Sequence, residues 1–279
     1  MNQFTRIVRE AVKYFLKNGY SSSSELERWQ SLIRGAAEGA TADDYAGMVA
    51  ERLRHSFERQ VTNGGALNRH PGIARFTIHH LEPQLRAQLD RRILASVDLI
   101  KLNRSKAIDT TLSRFSGWAS SIPPSASIAL IGNQGGMLKT AQHIQKTAEQ
   151  MDYEARRVMI DQNHKLIANI DNVIATNNNA IAVEWHSHWR RPGYNYRVDH
   201  KERDKEFYLI RGNWAQKNGY VKPGKAGYLD EVDQFGEKPF CSCYGEYIYN
   251  LRNLRSIPED MLTPKGKKFM ESMGGQKQN

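Results

Sequence analysis

From Met137 to Ala175 the chain contains neither proline nor glycine, and its apolar residues follow a helical pattern until Asn177-Asn178-Asn179 closes it. Such a helix cannot shield its own apolar face, so it needs other helices beside it. The preceding sequence supplies them. Phe4, Ile7, Val8, Ala11, Val12, Phe15 and Leu16 make one helical stripe that stops at Asn18-Gly19. Ser21 to Ser24 offer N-caps for a second helix carrying Leu26, Trp29, Leu32 and Ile33. Thr41 starts a third, through about Gln60, which Asn63-Gly64-Gly65 ends. Beyond Ile73, the residues Leu85, Leu89, Ile93, Val97 and Ile100 predict a long helix to about Trp118, with Pro83 marking a kink or a new first turn.

After Ala180 the pattern changes. Ile181 to Trp185 reads as a strand, and Pro, Gly and Tyr become frequent. The expected fold is therefore mainly α: an Arg-rich multi-helix N-terminal body followed by a small α+β C-terminal domain. In chain order the expectation is a helical region over 1–120, a long-helix segment over 121–180, the α+β domain over 181–260, and a basic flexible tail over 261–279. No repeat of solenoid period is present.

The chain holds 40 Lys+Arg against 30 Asp+Glu, a net charge of +10. Residues 1–150 carry 20 basic and 13 acidic residues, and residues 151–279 carry 20 and 17. Fourteen of the first 20 are arginines, whose planar fork suits phosphate and carboxylate. A polyanion such as nucleic acid is the partner this charge favours, although arginines on amphipathic helices also serve as plain solvated surface. No apolar run reaches the ~18 residues of a membrane span, and the N-terminus lacks the apolar segment of a signal peptide. A soluble protein made in a cytoplasm is expected.

Two cysteines, Cys241 and Cys243, rule out a disulfide framework. They belong to the densest chemical cluster of the chain. His186 and His188 share a strand face if the strand continues, His200 follows in Arg197-Val-Asp-His200, and the cysteines share a face in turn. Four of these five groups could close a tetrahedral zinc site. Three readings stand: a reduced thiol pair with hydrogen-bonded histidines, which is preferred, a structural zinc, or a catalytic metal with Asp199 or Glu184 as base. Around the cluster, Arg190, Arg191 and Arg197 interleave with Trp189, Tyr194 and Tyr196, as in proteins that stack bases and neutralise phosphates. With Lys265, Lys267 and Lys268 near the C-terminus, these are the candidate nucleic-acid contacts. Asp199, Glu202, Asp204 and Glu206 alternate with the cations, so a salt-bridged surface is the competing reading. Gly132 to Thr140 has the outline of a phosphate-binding loop but Leu138 where a glycine must precede the lysine, so it reads as a turn.

Four features follow one another in a telling order: the helix through Glu154–Asn163, the strand ending at Trp185, the Arg197-Val-Asp-His200 segment, and Gly236-Glu-Lys-Pro-Phe-Cys241-Ser-Cys243-Tyr244. Over about residues 125–248 the chain resembles the phage head morphogenesis or minor head proteins, the phage Mu F-like group. It departs from that pattern in Val158-Met-Ile-Asp161, in Asp204-Lys205, and in Cys-Ser-Cys for Cys-Arg-Cys. The resemblance implies a non-enzymatic virion protein at the head or portal vertex, present in the host cytoplasm during assembly. Its implied partners are the portal protein, the major capsid or other head proteins, and packaged double-stranded DNA. The alternative is a metal-dependent nuclease or hydrolase built on His186, His188 and His200.

Overall fold

The computed structural model describes residues 3–38, 42–124, 135–251 and 257–274. Of these, 68% are helical, with a small three-stranded sheet towards the C-terminus, which is the mainly α fold with an α+β part that the residue pattern predicts. The helices are α1 (Gln3–Asn18), α2 (Ser23–Glu38), α3 (Ala42–Phe57), α4 (Arg75–His80), α5 (Glu82–Ser121), α6 (Gly135–Asn177), α7 (Val198–Glu202), α8 (Trp214–Lys217) and α9 (Pro264–Gly274). The strands are β1 (Ala182–His186), β2 (Phe207–Leu209) and β3 (Tyr244–Ile248).

The chain divides into two compact units, each made of two stretches: Met1–Glu51 with Leu94–Met159, and Arg52–Ile93 with Ile160–Asn279. The division does not follow chain order, because α3, α5 and α6 each contribute residues to both units.

In the first unit the stripe read from the sequence is the core. Phe4, Val8, Ala11, Val12 and Phe15 of α1 are buried with Ile33 and Ala37 of α2, Leu112, Phe115 and Trp118 of α5, and Ile144 and Ala148 of α6. Phe15 meets Phe115 edge to face at 5.5 Å, the arrangement ring quadrupoles favour. Helix α1 stops where Gly19 takes φ 70°, and Ser22 caps α2 by accepting the Glu25 N–H at 3.2 Å.

The stretch from Ile73 is two helices. Pro83 lies in the first turn of α5, where its missing N–H costs no hydrogen bond. Helix α3 ends at Phe57 and runs into a π-helical turn over Glu58–Thr62, earlier than the periodicity suggests. The predicted start at Thr41 and the first three residues of the Gly132–Thr140 segment lie outside the described residues, while Gly135 onward belongs to α6. Helix α6 closes as its asparagines predict. Asn179 is left-handed (φ 54°), and the Ala180 N–H returns to the Ala175 carbonyl at 3.0 Å. The expected flexible tail over 261–279 is helical from Pro264 to Gly274, because Phe269 and Met270 join the apolar cluster around Val221 and Met261.

The second unit is organised on the sheet, in the order β2-β1-β3 and antiparallel throughout. Alternation splits β1. Val183 and Trp185 face a cluster with Tyr208, Phe235, Cys241, Cys243 and Tyr247, while Ala182 faces Leu209, Ile248 and Met261. Trp185 pairs with Gly245, where a Cβ would lie 2.3 Å from Val183 Cγ2 and 2.8 Å from the Phe235 ring. Only glycine lets Phe235 close over Trp185, with ring centroids 4.3 Å apart.

A buried carboxylate ties this unit together. Asp171 of α6 accepts from Arg69 Nε at 2.7 Å and Nη2 at 2.9 Å, and lies 3.1 Å from His70 Nε2. Arg69 also donates to Gln60 at 2.9 Å, and His70 stacks on Tyr247 of β3 at 4.9 Å and bonds the Tyr249 hydroxyl. Removing one partner from such a network strands the others in low dielectric. Asp171→Ala should therefore lower unfolding stability by about 3–5 kcal/mol, read as a shifted denaturant midpoint. A shift below ~1 kcal/mol would mean that the network is not fully desolvated.

Candidate functional site

Cys241 and Cys243 stand just before β3, and α7 delivers His200 beside them. All three are buried, at 1%, 6% and 1% exposure. His200 Nδ1 lies 3.5 Å from Cys241 Sγ and 3.4 Å from Cys243 Sγ, and Trp185 meets the imidazole edge to face at 5.7 Å. The approach is held from outside as well. Phe240, with φ 61°, sends its N–H to Asp161 of α6 at 2.8 Å, and the Ser242 N–H reaches the Tyr194 hydroxyl at 3.2 Å.

The two thiols are not equivalent. The hydrogen bond from Cys243, with the Gly236 and Cys243 backbone N–H groups and the nearby His200, holds the Cys241 thiol at about 5 against the opposing effect of burial. Donating that bond, together with burial, raises Cys243. One proton is thus shared between two sulfurs, with Cys241 carrying the negative charge.

The donor set also fits zinc. Sulfur at about 2.3 Å and nitrogen at about 2.0 Å in a tetrahedral site lie about 3.6 Å apart, close to the two Sγ–Nδ1 separations here. Among the described residues this cluster offers three ligands.

The five candidate ligands fall into different places. His200, Cys241 and Cys243 converge. His186 belongs instead with Glu184 and Glu246, its Nε2 lying 3.8 Å and 3.6 Å from their carboxylates. Lys205 approaches that second cluster at 2.9 Å from His186 Nδ1 and 3.4 Å from Glu184, so an ammonium already supplies the positive charge. β1 ends at His186, so His188 loses the expected same-face register. It is exposed and contacts the Tyr244 ring, 5.5 Å between centroids. The three histidines therefore do not converge on one ion among the described residues. Asp199, the other base named from the sequence, is half exposed and pairs with Arg203 at 3.0 Å.

The candidate nucleic-acid contacts are also unlike one another. Arg190 is exposed over the Trp189 ring at 4.7 Å. Arg191 is exposed and lines a cavity. Arg197 donates to the Pro239 carbonyl at 3.0 Å, which makes it a brace for the cysteine loop. Lys265 donates to the Asn218 carbonyl at 2.9 Å, Lys267 lies 3.7 Å from Glu259, and Lys268 is exposed. The alternating acids do pair in part: Asp204 accepts from the Ser187 N–H at 2.7 Å and from Trp189 Nε1 at 2.9 Å, which anchors the loop after β1. His70, His164 and Asp171 escaped the sequence reading because each lies in a helix or turn far along the chain from its partners. Only their placement against apolar residues could have marked them.

The sign of the Cys241 shift makes stability depend on pH. Its folded value lies below that of an unfolded thiol, so the unfolded state binds the extra proton between about pH 5 and 9, and stability rises with pH across that window. The contribution is complete above the unfolded value and lost as pH falls through about 5. Melting curves of the wild type and Cys241→Ser at pH 5.5 and pH 8 should show the wild type gaining more on going to pH 8. Parallel gains would mean that Cys241 is protonated in the folded protein.

Comparison of the chain with protein-family models, with curated proteins and with solved structures finds no match.

Proposed function

We propose that the chain is a non-enzymatic minor head protein of the phage Mu F-like kind. In this reading it works in head assembly or DNA delivery, at the head or portal vertex of the virion and in the host cytoplasm beforehand. The reading rests on the order of sequence features over about residues 125–248, of which Trp185, His200, Cys241 and Cys243 lie together in one buried cluster. Residues so separated in sequence meet only if the intervening loop is built to bring them together. The cluster then serves as a structural closure of the second unit, and its donor set supplies three of the four ligands a structural zinc takes. When bound, zinc would hold both sulfurs as thiolates and fix the His200 ring.

The Arg-rich helices face the remaining partners: the portal protein, the major capsid or other head proteins, and packaged double-stranded DNA. Among the described residues no helix is long and apolar enough to cross a membrane. A nuclease built on His186, His188 and His200 is the weaker reading, because His200 turns to the thiols while Lys205 occupies His186.

Two measurements test the proposal. Affinity for duplex DNA should fall linearly in log–log form with salt, by about 0.9 decade per decade for each phosphate neutralised. Absent or salt-independent binding removes DNA from the partners. Protein purified without chelators should carry one zinc per chain, lost together with thermal stability in Cys243→Ser. A metal-free protein with a stable fold would leave the closure to the hydrogen-bonded thiol pair. Metal-dependent plasmid nicking abolished by His200→Ala would overturn the non-enzymatic reading.

A further inference from the structure

Beside edge strand β3 the second unit contains a cavity of about 400 Å³, within the range of small-molecule sites. Its charged lining is mostly basic. Arg59, from the π-helical turn, and Arg191, from the loop after β1, line it with no acidic partner among the described residues. Arg69 also lines it, but Asp171 holds that guanidinium in place, so the Asp171 charge is neutralised inside the protein.

His164 and Ser242 both line the cavity, and His164 Nδ1 and Ser242 Oγ are buried atoms without a hydrogen-bond partner. Buried polar atoms left unpaired are costly, and in native proteins they usually meet water, an ion or a ligand. Burial holds the His164 imidazole below its ordinary value, so at neutral pH it is an uncharged ring able to donate from Nδ1.

These donors come from four separate parts of the chain and not from one plane. A planar carboxylate engages a single fork, whereas a phosphate presents oxygens in three directions to several donors at once. Tyr244 and Phe235 add aromatic wall beside them.

We propose that this cavity binds a phosphomonoester of nucleotide size, its phosphate held by Arg59, Arg191, His164 and Ser242. The site is independent of the reading as a head protein. Glu246 is the one lining acid left without a neutralising Arg: it is 43% exposed and lies 3.6 Å from His186 Nε2, so it opposes the ligand. The phosphate can be borne by a free nucleotide or by a 5′-phosphorylated DNA end.

Calorimetric titration of the full chain in 150 mM salt tests the assignment, with adenosine monophosphate, adenosine, and a hairpin oligonucleotide carrying either a 5′-phosphate or a 5′-hydroxyl as probes. Adenosine monophosphate should bind and adenosine should not. Arg59→Ala and Arg191→Ala should each weaken binding at least 10-fold with unchanged melting temperature, and Glu246→Gln should tighten it. Preference of the 5′-phosphorylated hairpin over its 5′-hydroxyl form, at an affinity above that of the monophosphate, assigns the DNA end as source. Equal hairpin affinities with monophosphate binding retained assign the free nucleotide. No binding of the monophosphate at millimolar concentration, equal binding of adenosine, or affinity unchanged in both arginine variants would overturn the proposal.

Discussion

A carboxylate buried to 3% exposure persists only where donors surround it, and Asp171 obtains them from a segment about a hundred residues earlier in the chain. Arg69 meets it with two nitrogens and His70 closes the other side, while His70 also stacks on Tyr247 and bonds Tyr249. One charge thus joins the turn after α3, helix α6 and the end of β3. Strand β3 packs on that junction through Tyr247, and Arg69 and Asp171 line the cavity beside it. Without it Arg69 would lose its fixed orientation, and the cavity would lose a wall.

The same logic governs the thiol cluster. A buried sulfur anion needs a neighbour to stabilise it, and Cys241 has the Cys243 proton, two backbone N–H groups and His200. Those groups favour a thiolate, which is also the state a zinc ligand requires. Trp185 and Phe235 then exclude water around it, which is possible only because Gly245 presents no side chain to them. Closure and chemistry are therefore the same packing event.

The helical pattern is readable because helix formation is local. The α1 stripe, the stop at Asn18-Gly19, the first turn at Pro83 and the left-handed cap at Asn179 all follow from spacing and from the backbone freedom of single residues. Local signals misled where a partner from elsewhere decided. Lys265 to Lys268 read as a mobile basic tail, yet Phe269 and Met270 fasten that segment as a helix to Val221 and Met261. His186 and His188 read as one face, but the strand ends between them.

Residue types and spacing by themselves determined a mainly α chain with a sheet-bearing C-terminal part, an excess of arginine among its helices, and five His and Cys groups of a kind that can take zinc. Tertiary structure alone decided that His200 joins the thiols while His186 joins Glu184, Glu246 and Lys205, and that Arg59, Arg191, His164 and Ser242 line one cavity. Periodicity reports which face of an element is buried. It carries no information about which distant face will cover it, and these sites are made by that pairing.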